Sequence, residues 1–127
     1  MNTIKTILLI VIVAVFTSCS KNDTPINQAP VLENKTMSMD ENPTADLLTT
    51  LVATDDEEDT LTYAIVSQTP ANSVGVNSTT GEVYIVSARA FDYEKNTQII
   101  VNIEVTDGVN ITLSTLNINI LDVQENG

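Results

Sequence analysis

Acidic and amide side chains recur through this 127-residue chain, next to the ends of predicted strands. None of them has an imidazole or a thiol beside it. Oxygen ligands without nitrogen or sulfur are what a hard divalent cation, above all calcium, requires. The sequence therefore predicts a calcium-associated binding module. The residues that carry this prediction are Glu41, Asp92, Glu94, Asp107, Asp122, Glu125 and Asn126.

The overall charge excludes some partners. The chain has 17 acidic residues against five basic ones, and its formal net charge is −12. Nucleic acid is not an expected partner, because its phosphates need a positive footprint on the protein. Direct electrostatic binding to an anionic membrane surface is not expected either, unless divalent cations bridge the two.

The composition also excludes several kinds of catalysis. The chain has no histidine, which removes Ser-His-Asp and Cys-His catalysis and histidine-based zinc sites. Paired carboxylates could serve as the acid and base of a glycosidase. A domain this small, which the strand pattern described below predicts to be a β-sandwich, has no evident cleft, however. The chain also has no tryptophan to stack a sugar. We therefore predict that the protein is not an enzyme.

The first residues resemble an export signal. Lys5 precedes an apolar run over residues 7–16, which is too short for a membrane-spanning helix of about 20 residues. Thr17-Ser18-Cys19 follows and resembles the lipobox of bacterial lipoproteins, in the loose form of Bacteroidetes-type bacteria. The resemblance implies a signal peptide over residues 1–18, a lipidated Cys19 with a flexible tether to residue 29, and a single domain over residues 30–127. The chain would then be exported and anchored by lipid at the outer membrane or cell surface. The alternative is an ordinary secretory signal with an unmodified cysteine.

Seven segments alternate apolar and polar residues and are separated by turn residues. This pattern predicts an all-β fold, a seven-stranded β-sandwich. The segments cover residues 36–39, 47–53, 61–65, 74–76, 82–86, 98–105 and 110–123.

The last segment changes its alternation. Ile111 and Leu113 follow one phase, whereas Leu116 and Ile118 follow the other. A strand that keeps both sets on the buried face needs one extra residue between them. We therefore expect a β-bulge near Ser114 and Thr115.

Eight short motifs appear in the order and at the separations of the cadherin repeat, and the similarity covers nearly all of residues 29–126. Residues 40–42 (DEN) resemble the family's PEN element, and residues 91–94 (FDYE) resemble its LDRE element. The other resembling segments are 27–31 (NQAPV), 53–57 (ATDDE), 61–65 (LTYAI), 76–83 (VNSTTGEV), 105–108 (VTDG) and 122–126 (DVQEN).

The resemblance implies a Greek-key sandwich with calcium between successive repeats. It places a half-site at the C-terminal end, formed by Glu41, Asp92, Glu94, Asp122, Glu125 and Asn126. It places another at the N-terminal end, formed by Asp55, Glu57, Asp107 and Asn27. Since the sequence holds one repeat, a second repeat or a protein partner would have to complete each half-site.

Within the acidic run 55–59 (DDEED), Asp55 and Glu57 could be ligands or part of a solvated turn, and we expect Asp56, Glu58 and Asp59 to be solvated. Residues i and i+2 of a strand share a face, so Asp92 and Glu94 could converge on one cation. The leading hypothesis is a calcium-binding adhesion or protein–protein interaction module anchored by lipid. The alternatives are a carbohydrate-binding accessory lipoprotein and a metal-free structural spacer.

Overall fold

The computed structural model describes residues 24–125. The predicted signal peptide, Cys19 and Asn126 lie outside the described residues. Seven strands form within the described range, as predicted. They are β1 (Lys35–Asp40), β2 (Leu47–Thr50), β3 (Thr62–Thr69), β4 (Val74–Val76), β5 (Glu82–Ile85), β6 (Gln98–Thr106) and β7 (Ile111–Leu121).

The strands form two sheets that pack face to face. One sheet has the order β1-β7-β6-β3, and the other has the order β2-β5-β4. Most neighbouring strands are antiparallel, whereas β1 runs parallel to β7. Between β5 and β6 the chain forms a short 3-10 turn (Ala88–Ala90). The predicted seven-stranded Greek-key sandwich is confirmed.

The core follows from the alternation of the strands. Strand β6 points Ile99, Val101, Ile103 and Val105 inward, and all four are buried. The opposite sheet and the loops close the core with aliphatic side chains and Phe91. Burial of each large apolar side chain contributes about 1.5–3 kcal/mol to folding. This packing holds the strand ends, where the acidic residues lie, in fixed positions.

The prediction of a β-bulge in the last strand is wrong. Strands β6 and β7 pair one to one, from Gln98 opposite Asn119 to Thr106 opposite Ile111. The alternation continues unbroken because Ile111 and Leu113 face solvent, with 58% and 68% of their surfaces exposed. Ser114 takes the inward position, and its hydroxyl donates a hydrogen bond to the carbonyl of Glu33 at 2.9 Å.

The strand directions separate the acidic residues into two groups. Strand β6 has nine residues, so its two ends lie roughly 30 Å apart. Strands β1 and β7 end side by side at Asp40 and Leu121, near the start of β6. The segments that follow β1 and β7 and precede β6 therefore meet at one end of the sandwich. Those that follow β6 and precede β3 meet at the other.

No helix in residues 24–125 is long and apolar enough to cross a membrane.

Candidate metal sites at the two ends of the sandwich

Three carboxylates converge at the end of the sandwich where the chain leaves the domain. Glu41 directly follows β1, Asp122 directly follows β7, and Glu94 lies in the loop before β6. One oxygen from each of the three lies within 4.8 Å of the others. We call Glu41, Glu94 and Asp122 the C-terminal cluster. The sequence analysis had assigned these three residues to one end of the domain, although Glu41 and Asp122 are 81 positions apart in the chain.

Glu41 is the buried member of the C-terminal cluster, with 5% of its surface exposed. One of its carboxylate oxygens accepts a hydrogen bond from the backbone N–H of Tyr93 at 3.0 Å, and the other accepts one from that of Val123 at 2.9 Å. Its own backbone N–H donates to the carbonyl of Leu121. A single side chain thus connects the loop before β6 with the segment after β7, which fixes Glu94 and Asp122 near each other.

Asp92 does not lie where the strand argument placed it. Residues 93–95 form a turn, and the N–H groups of Lys95 and Asn96 donate to the carbonyl of Asp92. Because this segment is not an extended strand, Asp92 and Glu94 do not share a face. The carboxylate of Asp92 forms an ion pair with Lys95 instead. The hydrogen bond from the Lys95 side chain lowers the pKa of Asp92.

The remaining predicted residues of this end lie at its rim. The carboxylate of Glu125 accepts a hydrogen bond from the side-chain amide of Asn42 at 3.3 Å. Asn126 is outside the described residues. Of the six residues predicted for this half-site, the structure places three in one cluster and two beside it.

A second acidic group lies at the opposite end of the sandwich. One carboxylate oxygen from each of Asp55, Asp59 and Asp107 lies within 4.8 Å of the other two. We call these three residues the N-terminal cluster. Asp59 is exposed, as expected, but it was not among the predicted ligands.

The turn that starts at Asp55 brings Asp59 into the N-terminal cluster. One carboxylate oxygen of Asp55 accepts hydrogen bonds from the backbone N–H groups of Glu57 at 3.1 Å and Asp59 at 3.0 Å. This contact curls the loop around Asp55 and carries Asp59 back towards it. The tendency of aspartate to bond backbone groups two or more residues ahead was the signal that could have identified Asp59.

Asp107 is held by the turn that joins β6 to β7. One carboxylate oxygen accepts hydrogen bonds from the N–H groups of Val109 at 2.7 Å and Asn110 at 2.6 Å. The other accepts one from the side-chain amide of Asn27 at 3.0 Å. The backbone hydrogen bond from Asn110 is the largest influence on the pKa of Asp107, which is lowered. Asp107 therefore stays ionised to a lower pH than an ordinary aspartate.

Glu57 lies outside the N-terminal cluster. Its carboxylate accepts a hydrogen bond from the backbone N–H of Gln28 at 3.3 Å. Glu57 therefore contacts the entering segment at Gln28, while Asn27, the residue before Gln28, contacts Asp107.

Two buried oxygens at this end have no hydrogen-bond partner in the part of the chain described. They are Oδ1 of Asn27 and Oδ2 of Asp55. Buried acceptors are ordinarily satisfied, and oxygens are the ligands that hard cations prefer. The donor set at this end therefore fits a cation such as calcium.

The aromatic side chains bear on the carbohydrate-binding alternative. Tyr63 is buried, as expected, and its hydroxyl accepts a hydrogen bond from the N–H of Ala53. Phe91 is fully buried in the core. Tyr84 and Tyr93 are the exposed aromatic rings among residues 24–125. Tyr84 lies across Gly75 on the neighbouring strand, and its ring occupies the space that a side chain at position 75 would fill.

The fold and the two acidic ends define an all-β Greek-key module with carboxylates at both ends. Residues 35–121 match the family model of the cadherin domain, and the chain belongs to this family. Cadherin domains are extracellular modules for adhesion or protein–protein interaction, and they are non-enzymatic.

The chain spans less than half the length of each of the following relatives. Human protocadherin Fat 1 is 33% identical over 69 residues, which cover 52% of this chain and 2% of that protein. The crystal structure of human protocadherin-24 EC1-2 form II superposes with a TM-score of 0.67 at 29% identity, covering 76% of this chain and 46% of that one. Mouse cadherin-23 EC22-24 gives a TM-score of 0.68 at 20% identity, covering 76% of this chain and 34% of that one, and shows similarity of fold.

Proposed function

We propose that this chain is a calcium-binding adhesion or protein–protein interaction module, held by lipid on Cys19 at the outer membrane or cell surface. The observation that carries the proposal is the C-terminal cluster, in which three carboxylates from distant segments lie within 4.8 Å of one another. Membership in the cadherin family supports the adhesive role.

The electrostatics of the C-terminal cluster favour a cation. Two unit charges about 4 Å apart repel by about 1 kcal/mol in bulk water, and by about 4 kcal/mol where the effective dielectric constant is near 20. Glu41 is buried, so its repulsion with the other two carboxylates is only partly screened. Calcium would supply the positive charge that balances this repulsion. Glu41, Glu94 and Asp122 would hold it, with Asp92, Glu125 and Asn126 as further ligands from the rim.

The mechanism proposed is rigidification. Asp122 and Glu125 belong to the segment that leaves the domain, whereas Glu41 and Glu94 belong to loops held by the core. A cation shared between the two sets would fix the direction of that segment. The orientation of whatever follows would then depend on calcium.

The N-terminal end would take part as well, through the predicted residues Asp55, Asp107 and Asn27. Glu57, the fourth predicted residue, would have to leave the backbone N–H of Gln28 to join them. Calcium accepts 6–8 oxygens, and each cluster brings three carboxylates. The missing ligands would come from a second cadherin-like repeat or from another protein partner. These partners are the ones we propose for this chain, together with the membrane that its lipid would enter.

A thermal melt with and without calcium tests the proposal. Extracellular modules bind calcium with dissociation constants of about 10⁻⁴–10⁻³ M. A ligand that binds only the folded state at a hundredfold excess over its dissociation constant stabilises that state by about 2.7 kcal/mol. We expect the wild-type melting temperature to rise in calcium.

Paired variants make the melt specific. In the Glu94→Gln variant, most of the calcium-dependent rise in melting temperature that the C-terminal cluster provides should be lost. Glu104→Gln, which removes the same charge from the face of β6, should keep it. An unchanged wild-type melt in about 100 mM calcium, a hundredfold excess over the weaker of these dissociation constants, would contradict the proposal.

A further inference from the structure

We propose that the outer face of the larger sheet binds an arginine or lysine side chain of a partner protein. The binding groove lies between Val66 on β3 and Leu113 on β7, with Glu104 of β6 at one end. The inference rests on the protein–protein interaction role proposed above, and it names the surface and the chemistry of the partner. It does not depend on calcium.

Two exposed aliphatic side chains form the walls of the groove. Val66 has 58% of its surface exposed, and Leu113 has 68%. Both line one open depression of about 490 Å³. Because β6 separates β3 from β7, the two walls stand roughly 10 Å apart. This spacing leaves room for one long side chain between them.

A β-bulge in β3 shapes the side of the groove at Val66. Ile65 pairs with Ile103 and Ser67 pairs with Asn102, so Val66 is an extra residue without a partner on β6. Val66 and Ser67 are consecutive and both exposed. Bulges are frequent next to functional sites, where they re-aim a side chain. Here the bulge makes Val66 a wall while Ser67 joins the floor.

The floor of the groove is a row of neutral side chains that satisfy one another. The amide of Asn102 donates to the hydroxyl of Ser67 at 2.8 Å, and the hydroxyl of Thr115 donates to the carbonyl oxygen of Asn102 at 3.2 Å. The backbone N–H of Thr115 donates to the side-chain oxygen of Asn34 at 2.9 Å. Since these groups are already paired, the floor favours van der Waals contact with a methylene stem over a ligand recognised by hydrogen bonds, such as a sugar.

Glu104 supplies a negative charge at the end of the groove. It follows Asn102 by two residues on the outward face of β6, which is roughly 7 Å along the strand. It stands opposite Leu113 on one side and Ala64 on the other, so apolar side chains flank its carboxylate. No ion pair within residues 24–125 involves Glu104. A cationic group from a partner would therefore complement it.

A long basic side chain matches both parts of the groove. Lysine and arginine bury their apolar stems against aliphatic surface and keep the charged head at the rim. Arginine suits Glu104 especially, because a guanidinium can bind a carboxylate through two parallel hydrogen bonds. The formal net charge of −12 attracts a basic partner and opposes a second copy of this chain. The occupant is therefore a basic protein segment that presents such a side chain.

The test is an NMR titration of the full-length chain with synthetic peptides, in non-ionic detergent and a calcium chelator. One peptide has a single arginine between two leucines in an otherwise serine- and threonine-rich sequence. A second has citrulline in place of arginine, which keeps the shape without the charge. The arginine peptide should move the backbone amide signals of Val66, Asn102, Glu104 and Leu113. The citrulline peptide should bind about tenfold more weakly.

Two matched pairs of variants locate the contact. Glu104→Gln should weaken binding of the arginine peptide by about fivefold to tenfold. Asp56→Asn removes the same charge from an exposed loop and should change binding by less than about twofold. Leu113→Thr should weaken binding by about threefold, whereas Val52→Thr, at a residue outside the groove with 75% of its surface exposed, should not. Melting temperatures show whether each variant folds.

Several outcomes would overturn the inference. Equal weakening by Glu104→Gln and Asp56→Asn would show attraction by net charge alone. Signals that move only at the two acidic ends, or not at all at about 1 mM peptide, would show that the groove does not bind. Groove signals that move when the protein alone is diluted would show that a second copy covers this face.

The calcium-dependent melt separates this inference from the calcium proposal. A rise in melting temperature with calcium, together with no peptide binding, would refute the groove and leave the calcium sites in place. Peptide binding without that rise would refute the calcium sites and support the groove.

Discussion

Lys95 forms an ion pair with Asp92, a residue that the sequence motif assigns to calcium. The lysine lies three residues further along the chain, in the turn before β6, and 69% of its side chain is exposed, against 26% for Asp92. A tethered ammonium group thus neutralises one carboxylate beside the C-terminal cluster. A cation that binds the same oxygen of Asp92 must displace this lysine.

Replacing Lys95 by methionine should therefore increase calcium affinity at the C-terminal end. The change frees Asp92 and removes a positive charge near the cluster. Exposed ion pairs are weak, so we expect the dissociation constant to fall by about two- to fivefold. Isothermal titration calorimetry at low salt would measure it. Lys35→Gln, at the other end of β1, removes the same charge and should leave the affinity nearly unchanged. Equal effects of the two substitutions would point to net charge alone.

Glu41 and Glu94 should differ sharply when calcium is absent. Glu41→Ala removes the carboxylate that accepts hydrogen bonds from the N–H groups of Tyr93 and Val123, and a hydrogen bond to a charged group contributes about 1.5–3 kcal/mol. Glu94→Gln removes an exposed charge from a repulsive cluster and should leave the free energy of unfolding unchanged or slightly raised. Urea denaturation in a chelator would measure both. A loss for Glu94→Gln as large as that for Glu41→Ala would show that the two residues do not have these separate roles.

Two glycines with positive φ should respond differently to alanine. At Gly81, with φ 72°, an added Cβ would lie 2.5 Å from the carbonyl oxygen of Leu51. We expect Gly81→Ala to cost about 2–4 kcal/mol, from backbone strain and overpacking together. At Gly108, with φ 96°, an added Cβ meets nothing within 4 Å, so only the strain of about 1–2 kcal/mol remains. Chemical denaturation of both variants gives the comparison, and equal costs would contradict the role of the Leu51 contact.

The pKa of Asp107 predicts an acid-sensitive contribution to stability. Backbone hydrogen bonds lower this pKa in the folded state, so folding favours the charged form. The contribution is present above the ordinary aspartate pKa of 3.8 and is lost as the pH falls through the lower folded-state value. Asp107→Asn should thus destabilise the domain at pH 6 and do so progressively less below about pH 4.

Melts of both proteins in chelator between pH 2 and 6 would measure the convergence. Asp56→Asn, which changes an exposed aspartate in the neighbouring loop, serves as the control. A destabilisation by Asp107→Asn that stays constant over this range would contradict the assignment.

The strands were predictable because their pattern and their packing agree. In β6 every second residue is aliphatic, and each of these side chains is buried. The seven strands and the placement of Glu41, Glu94 and Asp122 at one end followed from that pattern and from the motif order. The last strand was harder, because apolar residues occupy both of its faces. The sequence could not show that Ile111 and Leu113 are the exposed set and Ser114 the buried residue.

The ligand positions were less predictable than the strands, because they depend on loops. A strand at residues 92–94 would place both acids on one face. Hydrogen bonds to the backbone carbonyl of Asp92 instead form a turn, in which the carboxylate of Asp92 pairs with Lys95. Asp59 joined the N-terminal cluster through the turn in which Asp55 accepts hydrogen bonds from the N–H groups of Glu57 and Asp59, and the family motif alone does not place it there. The lipidation of Cys19 and the role of Asn126 stay predictions.

The parallel pairing of the first and last strands has a mechanical consequence. Strand β1 matches β7 residue by residue from Lys35 opposite Leu116 to Asp40 opposite Leu121, so the chain enters at one pole of the domain and leaves at the other. Tension applied between an anchor and a distant contact would run along these two strands. It would strain their whole row of hydrogen bonds in shear, all at once, rather than peel them open one after another. The domain is thereby built to resist pulling along its long axis.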